Sequence, residues 1–187
     1  GRGDVYKRQF LKGEKGTLRR KWTVANYLMR GLRVRITTDA SPYGLGGVLE
    51  VDDVIVSFFA EPITADDRTL LKLQAEPSAD DQQLLEALGA LVGLREWNHI
   101  WRDCRATVAV RSDNVAMLSM ICKMQPHSKQ LAIIAREMAL DMAGSCYSPD
   151  FAEHIPGIAN KAADALSRLA DPSKKYEVPH YLAGTPQ

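Results

Sequence analysis

Residues 33–59, RVRITTDASPYGLGGVLEVDDVIVSFF, decide the fold of this 187-residue chain. Polar and apolar side chains alternate at the start of the stretch, which is the pattern of a half-buried strand. A turn signal at Ser41–Gly44 separates this strand from a second apolar run, and the pair Asp52–Asp53 separates the second run from a third. The stretch therefore predicts three consecutive antiparallel strands, with Asp39 at the end of the first.

Helices and strands alternate after this meander. Residues 61–80 are polar and include two prolines, which predicts a long loop with room for one helical turn at 69–73. Leucines at three- and four-residue spacing predict a helix that Asp80 or Asp81 caps and that runs to about Ile100. The later elements are a strand at 106–111, helices at 114–124 and 129–143, a strand at 151–155 and a helix at 160–169. The predicted order is βββαβααβα, a mixed α/β domain.

Charge is divided unequally along the chain. Residues 1–35 hold eleven of the 24 Lys and Arg and two of the 23 acidic residues, whereas residues 36–187 hold 13 basic and 21 acidic residues. A basic segment suits polyanions, because each phosphate that it neutralises releases counterions. An acidic body would repel nucleic acid unless cations hold its carboxylates. Charges that are merely solvated would explain the same composition, so the motifs have to decide.

Several classes of protein are disfavoured by composition. No apolar run approaches the roughly 20 residues that span a membrane, and charges occupy the region where a secretory segment would be apolar. We therefore expect an intracellular protein without a membrane partner. The three cysteines, Cys104, Cys122 and Cys146, lack the spacing of a zinc or redox motif and are expected to be buried free thiols.

Four carboxylates stand on four different predicted elements: Asp39, Glu86, Asp113 and Asp164. Asp39 ends the first strand and Asp113 follows the fourth, so the two would converge at one sheet edge if these strands are neighbours. The other two acids lie in helices that can be laid against that edge. Mg²⁺ takes few protein carboxylates and keeps water and phosphate oxygens. Two such ions about 3.5–4 Å apart can activate an attacking water and stabilise a leaving oxygen.

The motifs around these acids resemble those of ribonuclease H domains fused to the reverse transcriptases of retrotransposons, LTR-type or related. They are TTDASPYGLGGVL at 37–49, Glu86 with Ala87 and Ala90, SDN at 112–114 and PGIANKAADALSR at 156–168. The resemblance covers roughly residues 33–170. It implies a ribonuclease H-like fold with a mixed five-stranded sheet, catalysis with two Mg²⁺ or Mn²⁺ ions on the four carboxylates, and endonucleolytic cleavage of the RNA strand of RNA/DNA hybrids.

The resemblance also implies roles for residues around the acids. His154 lies ten residues before the last acid, where many ribonucleases H place a loop histidine that helps to protonate the leaving group. Retrotransposon members often carry an aromatic residue there, so a packed or merely exposed histidine stays open. Gln82 and Gln83 stand where related enzymes carry amides that contact the hybrid. The alternative is that they are ordinary polar residues at the start of a helix. Asn114 and Ser41 flank catalytic acids and are weaker candidates for substrate binding.

The resemblance suggests how the chain is divided. Residues 1–32 are interpreted as the basic tail of an upstream reverse transcriptase region, and residues 171–187 as a C-terminal tail. The connection between the helices at 114–124 and 129–143 has no room for the basic protrusion with which some cellular ribonucleases H grip substrate. We therefore expect the basic extension and an upstream polymerase region to provide the affinity for the nucleic-acid substrate.

Two other functions fit part of the pattern. One is a catalytically inactive ribonuclease H-like connector that binds nucleic acid, although all four acids are present. The other is a related nucleotidyl transferase such as an integrase, which the segment at 156–168 disfavours. Trp97 and Trp101, four residues apart on the predicted helix, are expected to anchor the core rather than to stack on bases.

Overall fold

The computed structural model describes residues 28, 31–74, 78–101, 106–123, 125–144 and 147–187, without the side chains of 142–151. Nearly all of the basic extension assigned to residues 1–32 therefore lies outside the described residues, as do Cys104 and Cys146. The third cysteine, Cys122, is free and exposed, so the prediction of a buried thiol is wrong at that position.

The predicted three-stranded meander is confirmed. Strands β1 (Leu32–Ala40), β2 (Gly44–Val51) and β3 (Val54–Pro62) pair antiparallel in chain order. The hairpin between β2 and β3 turns at Asp52 and Asp53, whose φ angles are 48° and 68°. Positive φ at both central residues is what the tightest hairpin turn requires.

The other elements complete a five-stranded mixed sheet. The helices are α1 (Ala65–Leu71), α2 (Ala79–Glu96), α3 (Asn98–Trp101), α4 (Val115–Lys123), α5 (Lys129–Gly144) and α6 (Lys161–Ser167). The remaining strands are β4 (Ala106–Ser112) and β5 (Tyr147–His154). Single 3₁₀ turns occur at Gly157–Ala159 and His180–Leu182. The strand order is β3-β2-β1-β4-β5, and β4 is parallel to both β1 and β5.

Two predictions about the segment before α2 are wrong: the long loop at 61–80 and the residue that caps the helix. Residues 61–80 are not a plain loop, since β3 continues to Pro62 and α1 follows it. Helix α2 is capped by Ser78 rather than by Asp80 or Asp81: the Ser78 hydroxyl accepts from the Asp81 backbone N–H at 3.1 Å. In return the Asp81 carboxylate accepts from the Ser78 N–H at 3.1 Å. Asp81 is thus the third residue of a capping box, which sets the start of α2 two residues earlier.

The two tryptophans do not share one helix as predicted. Helix α2 ends at Glu96, Trp97 is its C-cap, and Trp101 closes the separate helix α3. Both indoles are nevertheless buried, with 2% and 0% exposure. Both belong to the buried hydrophobic core, which agrees with their expected role as core anchors.

Helix α6 packs against the sheet on the face opposite the main core. Gly46 of β2 permits this approach: a Cβ on Gly46 would lie 2.3 Å from the Ala163 carbonyl oxygen and 2.5 Å from the Ser167 nitrogen. Residues 171–187 then return along the same face. Leu182 is 1% exposed and packs with Leu166 of α6, and the Phe58 N–H of β3 donates to the Pro186 carbonyl at 3.2 Å. Among the described helices, none combines the length and the apolar character needed to cross a bilayer.

Replacement of Gly46 by alanine is expected to lower the free energy of unfolding by about 2–3 kcal/mol, because the atoms that meet the new methyl are backbone and cannot turn aside. Gly89→Ala in α2 is the matched control. The nearest atom that its Cβ would meet is the Asp39 carbonyl oxygen at 3.8 Å, so helix propensity should make the change neutral or stabilising by about 0.5–1 kcal/mol. Urea unfolding of both variants measures the difference, and equal midpoints would contradict the tight contact between β2 and α6.

Candidate active site

The sheet topology brings three of the four predicted acids together. Because β1 and β4 are parallel neighbours, Asp39 near the end of β1 and Asp113 just after β4 lie at the same edge. Helix α2 packs against β1 and adds Glu86. One carboxylate oxygen from each of the three lies within 4.8 Å of the other two. The first and fourth strands are therefore neighbours, which is the condition under which Asp39 and Asp113 were expected to converge.

Two of these carboxylates are buried, and burial changes their protonation. Asp39 is 7% and Glu86 3% exposed, whereas Asp113 is exposed. Burial, with repulsion from Asp164 and Asp113, raises the pKa of Asp39 to about 7. Burial, with repulsion from Asp39, raises the pKa of Glu86 to about 8. The charged forms are costly because desolvated carboxylates in contact need a compensating positive charge.

A divalent cation fits this set of donors. Three carboxylate oxygens within reach of one another are the hard ligands that Mg²⁺ and Mn²⁺ use. The Oε2 atom of Glu86 is buried and has no hydrogen-bond partner among the described residues. A buried carboxylate oxygen without a donor is unusual, and a bound cation would satisfy it. The three acids therefore fit a divalent metal site.

Helix α6 holds the cluster through two polar residues whose role sequence reasoning missed. The Ser167 hydroxyl donates to Oδ2 of Asp39 at 2.8 Å. The side-chain N–H₂ of Asn160, just before α6, donates to Oδ1 of Asp39 at 3.2 Å and to Oδ1 of Asp113 at 3.4 Å. Both residues stand in the motif at 156–168. Asn160 precedes Asp164 by four residues and Ser167 follows it by three, so a helix places all three on one face. That spacing is the sequence signal that could have identified them.

The fourth acid, Asp164, lies outside the group of three. Its side chain is 46% exposed, and its Oδ1 accepts from Nε of Arg168 at 2.6 Å, an i,i+4 pair on α6. Its charge still reaches the cluster, since it contributes to the raised pKa of Asp39. Asp164 is therefore a neighbour of the cluster that is held by an arginine rather than by the other acids.

Comparisons with known proteins address the fold. No family model and no curated protein gives a match. A ribonuclease H1 structure from the halophilic archaeon Halobacterium salinarum superimposes with a TM-score of 0.57 at 17% identity, over 76% of this chain and 99% of that one. The chain has the ribonuclease H fold.

A second solved structure agrees with this assignment. It is the N-terminal ribonuclease H domain of a Mycobacterium tuberculosis protein, solved as a fusion with maltose-binding protein. It superimposes with a TM-score of 0.53 at 15% identity, over 72% of this chain and 95% of that one. At these identities the likeness concerns the ribonuclease H fold, so the chemistry has to be argued from the carboxylates.

The two predicted glutamines occupy different surroundings within this ribonuclease H fold. Gln82 donates from Nε2 to the Ala40 carbonyl at 2.7 Å and to Oε1 of Glu86 at 3.1 Å, so it positions a cluster carboxylate. Gln83 is 8% exposed, and its Nε2 has no partner among the described residues. A contact of either residue with substrate stays a prediction.

The other predicted site residues divide into internal and exposed positions. The Ser41 hydroxyl is 1% exposed and donates to the Ser167 carbonyl at 2.6 Å, an arrangement that supports the structure rather than a substrate contact. Oδ1 of Asn114 caps α4 by accepting from the Met117 N–H at 3.0 Å. His154 is exposed at the end of β5, paired across the ladder with the residue before Asp113. Its position is compatible with a proton shuttle, which stays a prediction.

Removal of one buried charge is expected to stabilise the metal-free protein. The pKa of Glu86 rises from 4.5 to about 8 on folding, so its ionised form favours the unfolded chain. This penalty is absent below pH 4.5 and reaches full size as the pH passes about 8. In EDTA at pH 8, Glu86→Gln should therefore raise the free energy of unfolding by about 1–2 kcal/mol, with a much smaller gain at pH 5.

Thermal unfolding at pH 5 and pH 8 measures this gain. Glu96→Gln removes an exposed carboxylate from the same helix and should show no such pH dependence. Added Mg²⁺ should stabilise the wild type more than Glu86→Gln, because the variant lacks a ligand. Equal melting temperatures for wild type and Glu86→Gln in EDTA at pH 8 would contradict the buried charge.

Asn160→Ala is expected to weaken metal binding about 10- to 100-fold, because residues that orient ligands affect affinity by this amount. The amide bridges Asp39 and Asp113, and without it their oxygens lose a common donor. Titration calorimetry with Mn²⁺ gives the affinity. Asn98→Ala, at the start of α3, is the control for loss of a half-buried amide. Wild-type Mn²⁺ affinity in Asn160→Ala would exclude the bridging role.

Proposed function

We propose that this chain is a ribonuclease H that hydrolyses the RNA strand of RNA/DNA hybrids with the help of two Mg²⁺ ions. The observation that carries the proposal is the juxtaposition of Asp39, Glu86 and Asp113 in a ribonuclease H fold, with their oxygens within 4.8 Å. Asp164 on α6 stands next to this group and influences it electrostatically. A binding module would have no use for two buried carboxylates whose ionisation costs stability.

The chemistry assigned to the site follows from its donors. Asp39, Glu86 and Asp113 would hold the metal, and Asp164 would supply the fourth carboxylate. Bound Mg²⁺ would lower the pKa of the attacking water and stabilise the oxygen that leaves the phosphodiester. Asn160 and Ser167 keep the Asp39 carboxylate in place by donating to both of its oxygens. Hydrolysis then needs no covalent nucleophile from the protein.

Substrate recognition is proposed from the residues that border the cluster. RNA differs from DNA by its 2′-hydroxyl, which lies in the wide minor groove of an A-like duplex and can donate and accept hydrogen bonds. Gln83 and Asn114 carry amides close in sequence to Glu86 and Asp113, and the buried Nε2 of Gln83 has no acceptor among the described residues. His154 at the exposed end of β5 would hand a proton to the leaving oxygen.

We further propose that the domain comes from a retroelement reverse transcriptase. The support is the set of motifs at 37–49, 112–114 and 156–168. The short connection between α4, which ends at Lys123, and α5, which begins at Lys129, leaves no room for a basic protrusion. The partner in this proposal is an upstream polymerase region.

The decisive assay compares labelled RNA/DNA hybrid, double-stranded RNA and double-stranded DNA with Mg²⁺, Mn²⁺ or EDTA. We expect cleavage of the hybrid's RNA strand only, in the presence of metal. Asp39→Asn should lower kcat at least 10³-fold, because it removes a carboxylate that stabilises the transition state through the metal. Asp53→Asn, an acid in the hairpin that pairs with Arg33 at 2.6 Å, is the control and should keep wild-type turnover.

The outcomes separate hydrolysis from the alternative of an inactive connector. Hybrid binding without cleavage in any metal would favour the connector and exclude the proposed hydrolase. Cleavage that persists in EDTA or in Asp39→Asn would exclude the metal-dependent mechanism.

A further inference from the structure

The chain that follows α6 stays close to the fourth acid. The Asp171 N–H donates to the Arg168 carbonyl at 2.9 Å, so the chain turns as soon as α6 ends. The ammonium of Lys174 then lies 5.1 Å from the centroid of the Tyr176 ring, a cation–π contact. Burial of Leu182 anchors the segment further along. Residues 171–177 therefore lie between the turn at the Arg168 end of α6 and the anchor at Leu182.

Electrostatic contacts join this segment to Arg168. The hydrogen bond to Asp164 raises the pKa of Arg168. Hydrogen bonds from Ser173 lower the pKa of Asp171, and the charges of Arg168 and Lys174 lower it further. Charges influence one another in this way only at short range in water and salt. Arg168 and Lys174 therefore lie near the same carboxylate, that of Asp171.

Each acid near these cations has a hydrogen-bond or ion-pair partner, and the two lysines face solvent. The Asp171 carboxylate accepts from the Ser173 N–H at 2.8 Å and from its hydroxyl at 2.7 Å. The side chain of Lys175 is 87% exposed, 3.2 Å from Glu177. Arg168 uses Nε for Asp164, and in the described part of the chain no acceptor bonds its two terminal nitrogens. Those nitrogens and both lysines can donate to an anion.

We propose that Arg168, Lys174, Lys175 and Tyr176 form a phosphate-binding surface that grips the nucleic-acid backbone beside the catalytic acids. The proposal rests on the hydrolase function given above and names part of its substrate-binding machinery. A duplex that approaches the acidic cluster is repelled by it, and cations next to Asp164 offset that repulsion where the backbone has to pass. Tyr176 orders Lys174 without burying its charge, which reduces the entropy lost on binding.

The way in which residues 171–187 fold back on the domain supports the proposed surface, because it fixes the segment that carries the two lysines. Leu182 and the Pro186 carbonyl tie the segment to α6 and β3. Without this anchor, Lys174 and Lys175 would be spread over a mobile tail. With it, both lysines stand in a segment that is tied to the domain on both sides, and they offer basic groups from a different part of the chain than a protrusion between α4 and α5.

Binding of a fluorescent RNA/DNA hybrid by the full chain tests the surface. All variants carry Asp39→Asn, so that the hybrid is not consumed. The double variant Lys174→Gln/Lys175→Gln is expected to raise Kd about five- to tenfold and to reduce the slope of log Kd against log salt by about two, since two phosphate contacts are lost. The matched control Lys123→Gln/Lys129→Gln removes two exposed lysines from the ends of α4 and α5. It should leave Kd and slope near the parent values.

Removing a negative charge beside Lys175 should have the opposite effect to removing the lysines. Glu177→Gln frees Lys175 from its partner and should tighten binding two- to threefold at low salt, on the order of the gain from one unpaired surface charge. In chains with an intact cluster, the double lysine variant should raise KM and leave kcat unchanged. If Lys174→Gln/Lys175→Gln has the same Kd and the same salt slope as the control Lys123→Gln/Lys129→Gln, the proposed phosphate-binding surface is wrong.

Failure of the surface and failure of the hydrolase can be told apart. If the wild type cleaves hybrid and the double lysine variant binds like the control, the surface is overturned and hydrolysis stands. If the wild type shows no cleavage but the double variant loses affinity and salt slope, the surface stands and hydrolysis is overturned. A wild type that binds no hybrid overturns both.

Discussion

The burial of two carboxylates side by side is the constraint on which the rest of the site depends. Asp39 and Glu86 are buried at one edge of the sheet, where ionisation is costly, and burial raises the pKa of each. Without a cation, one way to lower the cost is to keep protons on the acids. A divalent metal is another, and it turns a destabilising pair into a binding site. The surrounding core therefore stabilises an arrangement that local electrostatics opposes.

Helix α6 connects this strained cluster to the rest of the surface. Gly46 lets the helix approach the sheet closely enough for Ser167 to donate to Asp39. One turn of the same helix presents Asp164 and Arg168 to the solvent side. The chain then turns back and brings basic residues to the place where α6 ends. A single close helix–sheet contact thus couples packing, the geometry of the carboxylates and the proposed grip on nucleic acid.

Local sequence rules predict which helices and strands exist better than they predict the residues at which these begin and end. The meander, the hairpin at Asp52–Asp53 and the helix that carries Glu86 are confirmed, because period and turn chemistry are local properties. The start of α2 was misplaced, since Ser78 and Asp81 both suit a cap and only their reciprocal hydrogen bonds distinguish them. Helix α1 is predicted only as a single turn at 69–73, because it is short and buries no residue, so no apolar period marks it.

The sequence by itself determined the α/β class, the order of the main elements and the choice of four candidate acids, because these follow from side-chain period and from motifs that are contiguous in the chain. Only the tertiary structure decided which acids meet. The parallel pairing of β1 and β4 brings Asp39 to Asp113, whereas an i,i+4 arginine holds Asp164 apart. Burial, pKa and the bridging amide of Asn160 depend on distances between residues far apart in the chain, and no local pattern encodes those distances.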